Sequence, residues 1–97
     1  MPAYLVCRVE VRDMETYAKY AAHSPGIVAQ HGGRFLVRGG EIQALEGEPF
    51  DGRLVIVEFP NAAAAKAFYN SPEYQAAKAI REPVSSAQFL VAAGVPD

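Results

Sequence analysis

The chain has 97 residues, 51% of them hydrophobic, and this length predicts one domain over residues 1–97. Nine basic residues stand against eleven acidic ones, which gives a formal net charge of −2 at pH 7. This balance argues against nucleic acid, or an anionic membrane surface, as a partner attracted by charge.

The single cysteine, Cys7, excludes an intramolecular disulfide and a zinc site built from several thiolates. It lies in an apolar run with no cation on its own face, so we expect it to be buried and unreactive. The start of the chain lacks a basic leader, and no apolar run approaches the roughly 20 residues that cross a bilayer. We therefore expect a cytoplasmic protein that has no membrane as a partner.

Local signals predict the elements of the first third of the chain. Alternating apolar residues predict a strand over Ala3–Val11, and Asp13 is a typical N-cap for a helix directly after it. Pro25 predicts a kink or break in this helix between Ala22 and Pro25. The second helical piece is expected to end at Gly32, because glycine tolerates a positive φ.

The same signals predict the rest of the chain. Runs of β-branched and aromatic residues indicate strands, and serine or asparagine before a helical run indicates a cap. The predicted elements are strands Arg34–Arg38, Ile42–Glu46 (a short extension), Arg53–Phe59 and Ser86–Ala93, and helices Ala62–Tyr69 and Ser71–Ile80.

This order of strand, helix, strand, strand, helix and strand is typical of the ferredoxin-like α+β fold. It predicts a four-stranded antiparallel sheet with helices on one face and the first and third strands in the centre. The other face is left open. Its predicted residues are Tyr4, Val6, Arg8, Leu36, Leu54, Ile56 and Glu58.

The open face predicts a homodimer. Its apolar side chains form a patch of several hundred Å², which is unusual on a monomer, and a second copy packed face to face would bury it. The alternative is a monomer with a partly apolar sheet. Arg8 and Glu58 are expected to form an ion pair within one subunit or across the dimer, because an unpaired buried charge is costly. A second possibility is that Arg8 receives a carboxylate ligand.

Three segments resemble the bacterial family called domain of unknown function 1330. They are GGRFLVRGG at Gly32–Gly40, VIVEFP at Val55–Pro60, and SPEYQ at Ser71–Gln75, with Ala76, Ala77 and Arg81 following. The resemblance implies a ferredoxin-like protomer that pairs sheet to sheet, as in the dimeric α+β barrel superfamily of antibiotic-biosynthesis monooxygenase-like, muconolactone isomerase-like and EthD-like proteins. It implies no activity, since a shared fold does not fix a function.

Tyrosine and histidine supply the candidate catalytic groups. Tyr17, Tyr20 and His23 follow one another at helical spacing, and their side chains are able to orient an aromatic substrate or transfer a proton. Packing of the helix against the sheet explains the two tyrosines equally well. His23 and His31 are eight residues apart, which is poor spacing for a shared metal, so no metal and no cofactor are expected.

Arginines supply the candidate ligand-binding groups. Arg34 and Arg38 alternate with Leu36 and are expected to share one face of their strand. Arg81 follows the last helix, where it either binds a carboxylate or stabilises the helix end. The candidate ligand-binding residues are Arg8, Tyr20, Arg38, Tyr69 and Arg81.

Two functions remain open from the sequence. In the first, the protein is a homodimer that binds a small organic molecule, anionic or aromatic. In the second, it is a cofactor-free monooxygenase- or isomerase-like enzyme acting on a small aromatic or carboxylate substrate, with a pocket between the sheet and the first helix. A cavity of roughly 300 Å³ or more, lined by the tyrosines and His23, would favour the enzyme.

Overall fold

The computed structural model describes residues 1–96. Its strands are β1 (Ala3–Val11), β2 (Arg34–Arg38), β3 (Arg53–Phe59) and β4 (Ser85–Ala93), and its helices are α1 (Met14–Gln30), α2 (Ala62–Asn70) and α3 (Pro72–Arg81), with a 3₁₀ turn at Glu82–Val84. The sheet is antiparallel in the order β2-β3-β1-β4, so the predicted central pair and the ferredoxin-like α+β fold are confirmed. No helix in residues 1–96 is long and apolar enough to span a membrane.

Side-chain caps fix where each helix begins. Asp13 accepts a hydrogen bond from the Thr16 amide at 3.2 Å, which confirms the predicted N-cap of α1. Ser71 ends α2 and begins α3, since its hydroxyl accepts from the Tyr74 amide at 3.1 Å and donates to the Phe68 carbonyl at 2.8 Å. This tight corner fixes the relative direction of α2 and α3.

Helix α1 runs through Pro25 without a break, so the predicted break is wrong. Pro25 has no N–H, and the carbonyl of Ala21 therefore lacks its usual partner in the helix. Arg38 supplies a replacement, because its Nη2 donates to this carbonyl oxygen at 2.8 Å. A side chain from a distant strand thus allows the helix to continue.

Strand β2 contains a bulge at Leu36, which has no partner on β3. Strict alternation predicted that Arg34, Leu36 and Arg38 share one face, and this is wrong. The extra residue leaves Arg34 on the open face and turns Arg38 to the face that carries the helices. Without this shift Arg38 would point away from α1.

The segment between β2 and β3 forms no regular structure, so the predicted short strand at Ile42–Glu46 is wrong. Leu45, in the middle of this segment, is 97% exposed. Leu45 therefore does not hold the segment against the sheet. Gly39, at the start of the segment, and Gly47, within it, adopt positive φ values.

The core lies between the helices and one face of the sheet. Leu5, Cys7, Val9, Val57 and Phe59 are buried there, which confirms the predicted burial of Cys7. Burial raises the pKa of the Cys7 thiol to about 12, which keeps it protonated and unreactive. The core is completed from the helices by Tyr17, Tyr20, Ile27, Val28, Ala65, Phe68, Tyr74 and Ala77.

The open face carries exposed apolar side chains, as predicted, and Leu90 on β4 adds to them. Leu36 is 47% exposed and Leu90 is 50% exposed. The expected ion pair of Arg8 with Glu58 within one subunit is wrong, because the register places Arg8 opposite Leu54. Glu58 accepts instead from Arg34 Nε at 2.8 Å, and the Arg8 guanidinium lies 4.8 Å from the centre of a loop phenyl ring, Phe50.

Candidate functional site

An open cavity of about 500 Å³ lies between helices α2 and α3 and the edge strand β4. Its sheet side is apolar and includes Leu5, Phe89 and Val91, whereas its helix side carries most of the polar groups. Ala87 of β4 also faces it, and so small a side chain leaves the space unfilled. The cavity thus joins an apolar wall to a polar one, as small-molecule sites commonly do.

Arg81, at the end of α3, lines this cavity and is only 5% exposed. Its Nε and Nη2 donate to the Tyr74 hydroxyl at 3.3 and 3.2 Å, and its Cζ lies 4.4 Å from the centre of the Phe89 ring. Arg81 forms no ion pair with any carboxylate of residues 1–96, where the ion pair found is that of Arg34 with Glu58. Arg81 is therefore a buried cation that only a phenol and aromatic rings neutralise in part, an arrangement that costs free energy.

Tyr74, the hydrogen-bond partner of Arg81, is itself in contact with a second tyrosine, Tyr20. The Tyr74 side chain is fully buried, and its hydroxyl lies 2.9 Å from that of Tyr20. Because a guanidinium has no acceptor, Tyr74 accepts from Arg81 and keeps its own proton for Tyr20. Burial raises the pKa of both phenols, so they are neutral near pH 7 and supply no counter-charge to Arg81.

The rim of the cavity is also positive. Lys78 lies one turn before Arg81 on α3, and its Nζ is 5.3 Å from the centre of the Tyr69 ring. Lys66 of α2 adds a third cation, and Glu82 is the one carboxylate of the lining within the described chain. This excess of cations, in a chain with a net charge of −2, attracts anions to the cavity.

The structure brings together only part of the predicted ligand-binding set. Tyr69 and Arg81 both line the cavity. Tyr20 lies behind them, and its ring centre is 5.6 Å from the Arg81 Cζ. Arg8 is on the open face of the sheet, and Arg38 lies beside α1, so neither belongs to this cavity.

The predicted catalytic residues do not surround a common cavity. Tyr17 and Tyr20 line a slot of about 30 Å³ between α1 and the sheet, which has room for about one water molecule. His23 is exposed in a separate groove of about 290 Å³, beside Glu73 of α3. The slot beneath the first helix is thus far smaller than the cavity of roughly 300 Å³ that would favour the enzyme, and the catalytic role of Tyr17, Tyr20 and His23 stays a prediction.

Sequence reasoning missed three members of the site: Tyr74 as the partner of Arg81, Lys78 at the rim, and Phe89 on the wall. A signal for two of them was present. Tyr74, Lys78 and Arg81 are four and three residues apart, a spacing that places them on one face of a helix. Phe89 comes from a separate strand, and only the sheet register brings it under α3.

No group of three or more histidine, cysteine, aspartate or glutamate side chains able to hold a metal occurs in the part of the chain that the structure describes. The candidate site is built instead from arginine, lysine and aromatic side chains, which favour an organic anion as ligand.

A family model described as "Domain of unknown function (DUF1330)" matches residues 2–95. Among proteins with curated functions, none matches this chain in sequence.

Solved structures confirm the fold. The RPA0582 protein of unknown function from Rhodopseudomonas palustris is 22% identical, with a TM-score of 0.76 over 99% of this chain and 84% of that chain. SnoaB, a cofactor-independent oxygenase from Streptomyces nogalater, is 12% identical, with a TM-score of 0.70 over 99% of this chain and 95% of that one. A dimeric ferredoxin-like protein of unknown function from Jannaschia sp. CCS1 is 16% identical, with a TM-score of 0.64 over 93% and 98% of the two chains. At these identities, the similarity shows the fold alone.

Proposed function

This chain belongs to the DUF1330 family, and we propose that it binds a small organic acid in the cavity beside β4. Arg81 would receive the acid group. The supporting observation is a buried guanidinium that opens on a cavity of about 500 Å³ without a carboxylate partner in residues 1–96. A bound carboxylate supplies the missing negative charge and accepts hydrogen bonds from an arginine side chain.

The wall opposite the cations suits an apolar or aromatic ligand body. Leu5, Phe89 and Val91 line it from the sheet, and the Tyr69 ring faces the same space from α2. Aromatic side chains bind flat ligand bodies through offset or edge contacts. A compact aromatic carboxylate such as benzoate combines both requirements and is a suitable first probe.

Calorimetric titration tests the proposal with benzoate and with benzamide, its neutral analogue. We expect benzoate to bind, and benzamide to bind at least about tenfold more weakly because it carries no charge for Arg81. Arg81→Met is expected to lose benzoate binding, whereas Arg34→Met, on the opposite face, keeps it. Equal binding of benzoate by the wild type and Arg81→Met would contradict the proposal.

The stability of the unliganded protein distinguishes a binding arginine from a structural one. If the unpaired charge is kept for a ligand, Arg81→Met unfolds at a temperature no lower than the wild type in the absence of anions, because an apolar side chain avoids the cost of burial. Arg81→Lys, which keeps the charge but lacks the planar fork, is expected to bind benzoate weakly. A large loss of stability in both variants, with benzoate having no effect on the wild type, would assign Arg81 a structural role.

We further propose that the protein is a homodimer formed through the open sheet face. The exposed apolar side chains of Leu36 and Leu90, with the half-buried Val6, Leu54 and Ile56, support this arrangement. Solved ferredoxin-like structures described as dimeric, from Jannaschia sp. CCS1 and Thermobifida fusca, are consistent with it. The ligand cavity lies on the other face, so two copies are able to pair without closing it.

Catalysis as a cofactor-free monooxygenase or isomerase has weaker support. The similarity to SnoaB favours it but extends to the fold alone. The catalytic hypothesis required Tyr17, Tyr20 and His23 around one cavity, and they are apart. Binding of an organic acid is therefore the function that the geometry supports best.

A further inference from the structure

A pair of arginines lies on neighbouring strands, away from the cavity beside β4. Arg38 ends β2 opposite Val55, and Arg53 begins β3 opposite Val9. Both side chains are on the helix-bearing face and both line the narrow slot beneath α1. Residues at such diagonal positions of an antiparallel pair are within reach of each other's long side chains.

Aromatic rings and a backbone carbonyl hold the two guanidinium groups. Arg38 donates to the Ala21 carbonyl at 2.8 Å, and its Cζ lies 4.8 Å from the centre of the Phe35 ring. The Arg53 Cζ lies 5.8 Å from the centre of the Tyr17 ring. Cation–π contacts of this kind orient a guanidinium while leaving its edge free to donate hydrogen bonds.

The hydrogen-bonding capacity of this pair is incompletely used. The Nε of Arg53 is buried and has no hydrogen-bond partner, and no other buried side-chain nitrogen or oxygen in residues 1–96 is left without one. The slot lining contains no carboxylate within the described chain, and neither arginine forms an ion pair there. Like charges on neighbouring strands repel each other, and an anion bound by both arginines would offset the repulsion and supply the missing acceptor.

Gly39 is part of the same arrangement. It has a φ of +72°, and a Cβ at this position would collide with the Nη1 of Arg53. The missing side chain lets the turn after β2, which directly follows Arg38, approach the Arg53 guanidinium closely. A larger residue would displace the very group that lacks a partner.

We infer that Arg38 and Arg53 form a second anion site, for an oxyanion group such as a carboxylate or a phosphate. The slot behind them has a volume of about 30 Å³, room for about one water molecule, so the oxyanion group binds at its mouth and the rest of a larger ligand remains outside. The site shares no charged residue with the cavity that Arg81 lines. It is therefore independent of the proposed function.

The acidic loop that follows β2 is the competing partner. Residues 39–52 carry four exposed carboxylates, and the structure shows none of them paired with Arg38 or Arg53. They are Glu41, Glu46, Glu48 and Asp51. The test must therefore distinguish a bound anion from a carboxylate of the chain itself.

Nitrogen–proton correlation NMR of the arginine Nε–Hε groups provides this test. Sodium acetate and sodium phosphate are titrated separately at constant ionic strength, which distinguishes a carboxylate from a phosphate as the preferred group. We expect the Arg53 Hε signal to shift and saturate with at least one of them, and to do so equally in Arg81→Met. Arg53→Gln, followed through the Arg38 signal, is expected to weaken the affinity about tenfold or more, whereas Arg8→Gln leaves it unchanged.

Two results would overturn the inference. One is a shift of the Arg53 signal that stays linear with anion concentration, or that is absent. The other is an Arg53 signal that moves when the four loop acids are changed to their amides without added anion, since the chain would then supply its own partner. Arg38→Gln is also measured in a double variant with Pro25→Ala, in which residue 25 again offers an N–H to the Ala21 carbonyl. The helix then no longer depends on Arg38, so a loss of anion binding in the double variant is not caused by a loss of fold.

Discussion

At the scale of single residues, Arg38 has a structural role that a variant can isolate. We predict that Arg38→Ala lowers the free energy of unfolding by about 1–3 kcal/mol, because the Ala21 carbonyl loses its donor. The cost is expected to fall when Pro25→Ala is also present, since residue 25 then offers an N–H to the same carbonyl. Urea unfolding of the two single variants and the double variant measures this coupling.

Arg34→Ala is the matched control for this cycle. Arg34 is also an arginine of β2, but it forms an exposed ion pair with Glu58, and its removal is expected to cost about 0–1 kcal/mol. A cost for Arg38→Ala that is the same with proline or alanine at position 25 would contradict the assigned role.

Buried ionisable groups predict a loss of stability at alkaline pH. Burial raises the pKa of Cys7 to about 12 and raises the pKa values of Tyr17, Tyr20 and Tyr74 above their usual range. The unfolded chain releases these protons at lower pH than the native protein, so it binds fewer protons in alkaline solution. The free energy of unfolding is therefore undiminished below the unfolded thiol pKa of about 8.5 and falls as the pH rises above it.

Urea unfolding from about pH 7 to about pH 11, compared between the wild type and Cys7→Ala, checks this prediction. As the pH rises from the ordinary thiol pKa towards that of the buried thiol, Cys7→Ala is expected to lose less free energy of unfolding than the wild type. A slope that is equal in the two proteins, or stability that rises with pH, would show that the thiol ionises as easily in the fold as outside it.

The sequence identified single residues well where the signal was local. Asp13 was predicted as a cap from its position before a helical run, and the burial of Cys7 followed from its apolar neighbours. The pairing of Arg81 with Tyr74 beneath Phe89 was not predicted, because it needs the helix face and the strand register at once. Arg81 and Tyr69 were predicted as ligand-binding residues, and their role stays a prediction.

At the scale of elements, two glycines predict opposite effects of the same substitution. A Cβ on Gly33, just before β2, would lie 2.7 Å from the Phe59 ring and 2.8 Å from Val28, both of which are buried. Gly33→Ala is therefore expected to cost about 1–3 kcal/mol of stability. Gly26, inside α1, has no atom within 4 Å of such a Cβ, so Gly26→Ala is expected to add about 0.5–1 kcal/mol.

Thermal unfolding of the two alanine variants measures this difference directly. A destabilised Gly26→Ala would mean that the helix is strained around Pro25, in spite of the hydrogen bond from Arg38. A Gly33→Ala variant as stable as the wild type would mean that α1 and β2 are joined loosely.

Most elements were predictable because their signals lie in neighbouring residues. The failures were the break at Pro25, the shared face of Arg34 and Arg38, and the strand at Ile42–Glu46. Long-range contacts decide the first two, since Arg38 supports the helix and the bulge at Leu36 redirects Arg38. The third failed because β2, an edge strand, has no pairing partner in the segment that follows it.

At the scale of the whole molecule, the open sheet face predicts self-association. We expect sedimentation to give a mass of twice the 10.5 kDa chain at micromolar concentration. Ile56→Lys, in the middle of this face, is expected to yield the monomer, because it places a charge in the buried interface. Ala67→Lys, on the exposed side of α2, serves as the control and is expected to remain a dimer.

A wild-type protein that sediments as a monomer would contradict the proposed dimer. So would a dimer that Ile56→Lys leaves intact, since the interface would then lie elsewhere on the surface.

The fold and the open face were predictable from the order of elements and the alternation of side chains. The position of the cavity was not, because it depends on how completely each helix covers the sheet. Helix α1 is anchored by Tyr17 and Tyr20 and leaves a slot of about 30 Å³, whereas the short side chains near β4 leave about 500 Å³. Such differences in packing arise only when the whole chain is assembled.

A crystal soaked with 4-iodobenzoate tests the proposed function most directly, because iodine reveals its own position by anomalous scattering. We predict an iodine peak within the cavity beside β4 and a carboxylate at hydrogen-bond distance from the Arg81 guanidinium. An empty cavity in a crystal whose packing leaves it open, or a ligand whose carboxylate points away from Arg81, would contradict the assignment of Arg81 as the acid-binding group.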